Sequence, residues 1–138
     1  LNKKYFCFKV NTIHQALKII SICKNNKIVP IFFIRFYLIN GFGPDWIIEF
    51  RNLLLKKFNK NSFKLFVDCK KNYGLFIHLV NQKIDYLKVS GDKNILFKLK
   101  QIAQKNKISI NPKIAILDTT KIKNIYLKII KYLLRKKK

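Results

Sequence analysis

The chain is poor in acid: 138 residues carry 30 Lys+Arg but only 6 Asp+Glu, Glu49 being the single glutamate, for a net charge of +24. Glycine (4) and proline (3) are scarce, which excludes collagen-like and low-complexity classes. No uncharged apolar run approaches the roughly 18 residues that span a bilayer as a helix; the longest, Ile28 to Ile39, is interrupted by Arg35. Three cysteines, Cys7, Cys23 and Cys69, form no Cys-x-x-Cys pair, and with no leader recognised they point to reduced thiols in a cytoplasmic setting. His14 and His78 stand far apart, so no metal-ligand spacing appears and no cofactor is expected.

What is present is apolar mass. Hydrophobic residues make up 49% and aromatics 14%, enough for a core and too much for a disordered basic tail. A chain of this length makes one domain and buries roughly two-thirds of its unfolded surface. The base is nearly all Lys, with Arg at 35, 51 and 135, as an AT-rich genome would favour. Such drift does not account for the missing acids. A field this positive attracts polyanions, including nucleic acid, without conferring sequence specificity.

Short apolar runs alternate with helical periods. Tyr5–Val10, Ile28–Tyr37, Phe63–Asp68, Tyr86–Ser90 and Ile108–Ile110 read as strands, with a further short extended piece within Ile114–Leu117. Between them, Ile13, Ala16, Leu17, Ile20 and Cys23 recur at helical spacing behind a cap at Asn11 or Thr12. Trp46 to Phe58, Asn72–Asn81 and Lys93–Asn106 supply further helices. The expected fold is a single-domain α/β structure: an open, mostly parallel five-stranded sheet with helices on both faces, flavodoxin- or Rossmann-like, with the strand order left open. Residues 1–118 form the core. Residues 119–138 form a basic amphipathic helix with a stripe at Ile122, Ile125, Ile129 and Leu133. That helix either docks on the sheet or lies on an acidic membrane; the need to cover a sheet favours docking. Lys136, Lys137 and Lys138 would then be open to a polyanion.

In parallel sheets ligands bind beyond the strands' carboxyl ends. There the sequence places Asn40, Gly41, Gly43, Asp68, Ser90, Gly91 and Lys93, a polar set suited to an anionic small molecule such as a nucleotide or phosphometabolite. Asp68 and Cys69 are the weak catalytic candidates, short of acid–base partners, and a non-catalytic domain is the favoured reading. Asp68, Ser90 and Lys113 fall where a receiver domain has its phosphoacceptor, hydroxyl and lysine. The first strand end, Val10-Asn11-Thr12, lacks the acidic pair that would hold Mg²⁺.

Two resemblances follow from these motifs. Asp68, Tyr73 and Ile84-Asp85-Tyr86-Leu87-Lys88-Val89 resemble part of the Glu-Ala-Leu cyclic-diguanylate phosphodiesterases. The acidic pair, the glycines and the Glu-Ala-Leu motif are absent, so the likeness implies a shared βαβ unit and no activity. Over about Phe6 to Asp118, Gly43-Pro44-Asp45-Trp46, Asp68-Cys69, Gly74-Leu75 and Tyr86-Leu87-Lys88 resemble a group of short alphaproteobacterial α/β proteins without an established activity. That resemblance implies the fold and the compartment; Lys70 stands where the group tends to have Gly.

Overall fold

The computed structural model describes residues 4–121 and 124–137. In chain order the elements are β1 (Lys4–Lys9), α1 (Ile13–Asn25), β2 (Ile28–Ile34), α2 (Phe36–Phe42), α3 (Asp45–Leu55), β3 (Lys64–Asp68), α4 (Tyr73–Asn81), β4 (Tyr86–Lys88), α5 (Lys93–Lys105), β5 (Ser109–Ile110), β6 (Ile116–Asp118) and α6 (Ile125–Lys137). The strands form one parallel sheet of order β5-β4-β3-β2-β1-β6. The fold is therefore α/β with an open parallel sheet, but of six strands and not five.

Local chemistry sets the element ends. Thr12 caps α1 in a capping box: its hydroxyl accepts from Gln15 N–H, and the Gln15 side chain accepts from the Thr12 N–H. Asn72 and Asp92 cap α4 and α5 in the same oxygen-to-N–H manner. β2 is buried at all seven positions, as befits a central parallel strand. It stops at Ile34, where sequence periodicity continued it to Tyr37. Residues 36–42 turn into helix instead, which places Gly41 inside α2 and not in a loop.

The helices also depart from expectation: they lie on one face of the sheet. A stepwise order β1 to β5 with right-handed crossovers leaves every helix on the same side. One buried cluster joins alternate strand residues (Phe8, Phe32, Leu65, Leu87) to Ile19, Leu38, Ile47, Phe76, Leu99 and Ile129 from α1 to α6. The other face carries a separate small cluster, Cys7, Ile31, Phe33 and Phe66, which Tyr86 and Ile114 abut. No described helical residue enters it. A doubly wound arrangement is thus replaced by an arc of helices outside a sheet.

That sheet has to curl. The register sets Ile110 level with Val10, and Ile116 level with Cys7. Across a flat sheet the two outer strands would stand about 24 Å apart, with a further offset of about 10 Å along the strands. The chain from Ile110 to Ile116 can reach only about 21 Å. The segment 111–115 therefore runs as a chord across the concave face, where Ile114 packs on the aromatic cluster. The result resembles an arc of a (β/α) barrel, with inward residues in layers.

α6 docks on the helical side. Ile125, Ile129 and Leu133 are buried in the main core, and Tyr132 meets Phe6 edge-on with ring centres 5.7 Å apart. Among the described residues no helix is long and apolar enough to cross a membrane.

Candidate functional site

Two layers of inward-facing residues meet near the strands' carboxyl ends. The lower one, read straight across the sheet, is Lys9, Phe33, Phe66, Tyr86, Ser109 and Asp118. Its centre is an aromatic row: Phe33 and Phe66 are 4.9 Å apart edge-on, and Phe66 and Tyr86 6.2 Å. Burial, assisted by the charge of Asp85, pushes the Tyr86 hydroxyl above its ordinary pKa. Two residues further along the chain from each stand Asn11, Arg35, Asp68, Lys88, Asn111 and Thr120; Asp68 and Lys88 are paired in register, and the other four lie just beyond the paired residues of their strands. Every position of this upper layer is polar.

Some of these groups are consumed internally. Asp118 pairs with Lys9 at 3.5 Å and accepts from the Thr120 hydroxyl at 2.6 Å. The Thr120 bonds, more than Lys9, hold its carboxyl down at about 2. Asn111 spends its side-chain amide on the Val89 backbone, accepting at 2.8 Å and donating at 3.0 Å. That pairing pins the start of the chord beside β4.

The remaining charges are not paired. Arg35 donates from Nη2 to Asn11 Oδ1 (2.5 Å) and to the Tyr37 hydroxyl (2.9 Å), and its guanidinium lies 4.5 Å from the Tyr37 ring centre. Its Nε is enclosed, and among the described residues it has no hydrogen-bond partner and the guanidinium no carboxylate partner. Asp68, 9% exposed, accepts the Lys70 N–H at 2.9 Å through Oδ1. Lys70 takes positive φ (47°) to make that turn. Lys88, directly opposite Asp68 on β4, turns its ammonium toward the Phe33 ring at 6.0 Å instead of pairing. A cleft of about 290 Å³ on this face is lined by Phe66, Lys88, Val89, Asn111, Pro112, Ile114 and Ile116; Arg35 and Asp68 lie outside its lining.

The residues expected from sequence divide among three places. Asp68 joins the concave layer. Asn40 and Gly43 line a different cleft, about 310 Å³, on the helical side of β2 with Pro44, Asn72, Leu75 and His78, whose enclosed Nε2 lacks a partner. Gly41 is exposed, with open space where a side chain would go. Ser90 and Gly91 form the β4–α5 turn: Ser90 N–H donates to Lys70 O (2.9 Å), and the Tyr73 hydroxyl donates to Ser90 O (2.9 Å). Lys93 is exposed at the start of α5. Lys138 and the side chains of Lys136 and Lys137 lie outside the described residues. Sequence reasoning missed Arg35 and Lys88 as site residues. The one visible signal was Arg35 as the sole charge in the apolar run from Ile28 to Ile39.

Cys69 faces the helical core, fully buried, and burial with the Asp68 charge pushes its thiol up to about 12. A thiol so placed is protonated and inaccessible, which removes it as a nucleophile. His14 is exposed on α1. Trp46 is half-buried, stacked between Phe42 and Phe50.

The turn at Gly91 makes a sharp prediction. A Cβ there would stand 2.7 Å from the Tyr73 hydroxyl and 3.2 Å from Ile95 Cγ2. Gly91→Ala is expected to displace Tyr73 from Ser90 and cost about 1 kcal/mol in urea unfolding. The same substitution in a Tyr73→Phe background should cost distinctly less.

No protein-family model matches the chain, and no curated protein is significantly similar to it.

Proposed function

We propose that the protein binds a small anionic metabolite, a phosphorylated or carboxylated molecule, on the concave face at the strands' carboxyl ends. The observation that carries this reading is Arg35: a guanidinium without a carboxylate partner, with an enclosed Nε that nothing satisfies. An enclosed donor left unpaired costs about 1–3 kcal/mol, recovered when a ligand oxygen displaces the groups that cover it. Arginine offers a planar fork to phosphate or carboxylate, Lys88 adds a second unpaired cation, and the aromatic floor offers an apolar surface to the remainder of a ligand. The role is binding; with Cys69 buried and acid–base partners few, no chemistry is assigned to the site. Three buried free thiols fit a reducing, cytoplasmic setting. On Gly43-Pro44-Asp45-Trp46 and Asp68-Cys69 we place the chain with the alphaproteobacterial group it resembles.

The test is a thermal-shift and calorimetric panel of phosphometabolites, nucleotides and carboxylates. Saturable binding to the wild type is expected, weakened at least ten-fold in Arg35→Met with unchanged folding. A panel in which nothing binds, or an Arg35→Met variant that binds equally well, overturns the reading.

A second reading rests on the charge. The described residues hold only two ion pairs, Lys9–Asp118 and Lys64–Asp85, so most of the +24 faces solvent. Nucleic acid would then associate through bulk charge, with affinity falling steeply as salt rises. It would avoid the stretch 28–55, where Arg35 and Arg51 are balanced by Asp45 and Glu49.

A further inference from the structure

The concave layer holds an anomaly for a plain anion site. Asp68 is one of only six acids in the chain, is about nine-tenths buried, and has a cation at each neighbouring strand end: Lys88, its register partner on β4, and Arg35, which follows the last paired residue of β2, Ile34 opposite Val67. In-register neighbours on paired strands are about 5 Å apart at the backbone, so Lys88 has the reach to neutralise it, and Arg35, one residue past the Ile34–Val67 pair, has a side chain long enough to do the same. Neither does. Arg35 is drawn toward Asn11 and Tyr37, and Lys88 toward Phe33. The backbone N–H of Lys70 fixes Oδ1, and among the described residues no hydrogen bond reaches Oδ2. The carboxylate is thus oriented by the turn, and its second oxygen stays free as an acceptor.

We infer that the ligand of this site carries a hydrogen-bond donor, a hydroxyl or an ammonium, one or two carbons from its anionic group, with Asp68 Oδ2 as the acceptor and Arg35 and Lys88 on the anion. This deepens the anion-binding reading and rests on it. A simple phosphate would gain the two cations but be repelled by Asp68. A donor-bearing phosphate or carboxylate uses all three groups, turning the carboxylate from a penalty into a selector. Discrimination by a buried charged acceptor is strong, because an analogue without the donor leaves that acceptor desolvated and unpaired.

A matched series separates these cases: ethyl phosphate, 2-hydroxyethyl phosphate and O-phosphoethanolamine, titrated calorimetrically into the full chain. At least ten-fold tighter binding of a donor-bearing member over ethyl phosphate is expected. Preference for the hydroxyl or for the ammonium member identifies which donor is used. In Asp68→Asn the Oδ1 acceptor for Lys70 survives, so the turn is kept while the charge is lost. That variant should bind ethyl phosphate as well as or better than wild type and lose most of its preference for O-phosphoethanolamine. Equal binding of all three by the wild type overturns the donor requirement and leaves the anion site standing. An unchanged preference in a folded Asp68→Asn overturns the assignment to Asp68. Failure of all three to bind, in a protein that also ignores carboxylates and nucleotides, overturns the anion site itself.

Discussion

Stability is expected to fall steeply between pH 9 and pH 12, and the three buried thiols are the cause. Cys7, Cys23 and Cys69 are each about 1% exposed or less, and desolvation pushes each from an ordinary 9.0 up to about 12. The folded pKa lies above the unfolded one, so between those values the folded chain retains protons that the unfolded chain releases. Unfolding is then favoured as pH rises, by about 1.4 kcal/mol per pH unit for each thiol. With three thiols, two pH units above 9 remove an amount comparable to the whole stability of an ordinary domain, roughly 5–15 kcal/mol. Below pH 9 the thiols contribute no pH dependence. Lysine deprotonation in the same range relieves repulsion and acts the other way, so the decisive measurement is a difference. Cys23→Ala should lower stability at pH 8 by the loss of packing, and its urea-unfolding free energy should decline less steeply above pH 9. Parallel slopes for wild type and variant would remove the thiols as the cause.

The same three cysteines mark what could be read from sequence. Their odd count and spacing pointed to reduced thiols, and the structure leaves all three free and buried. Strand–helix alternation was legible wherever apolar spacing changed abruptly, as at Thr12 and at Asn72. It failed at Ile34, because Phe36, Tyr37, Leu38 and Ile39 extend an apolar run without a break and α2 begins with no side-chain cap. β6, only three residues long, showed as no more than a short extended piece. Strand order is non-local, and the one-sided placement of helices follows from that order rather than from any helix's own sequence.

The site was half legible for the same reason. Asp68 stood out as an acid at a strand end in an acid-poor chain. Its relation to Arg35 and Lys88, 33 and 20 residues away in sequence by those residue numbers, depends on how β2, β3 and β4 are set against one another. Nothing local in the sequence fixes that pairing. Asn40 and Gly43 lie at the strands' carboxyl edge, yet on the helical side of the sheet, away from Asp68: the sequence identifies an edge, but the side of the sheet follows from strand parity.

The basic C-terminal helix provides the second large effect. Ile129 is fully buried in the main core, and its flanking stripe residues Ile125 and Leu133 are 7% and 3% exposed. Ile129→Asp would place an unpaired carboxylate in that core and is expected to cost about 4 kcal/mol or more, lowering Tm by roughly 10–20 °C for a domain of this size. Ile129→Ala should cost about 2–4 kcal/mol. Lys128→Glu and Lys131→Glu, on the exposed side of the same helix, should change stability by less than about 0.5 kcal/mol, with a bias toward stabilisation because each lowers a net charge of +24. The contrast between the two faces is what docking requires. A helix lying on an acidic membrane would give the opposite pattern: Ile129→Asp would leave the soluble protein's Tm unmoved, and the lysine reversals would abolish association with anionic vesicles. Because α6 covers the core beside α1 and β1, its stripe contributes to fold stability, and the lysines of its outer face are the part available to a polyanion.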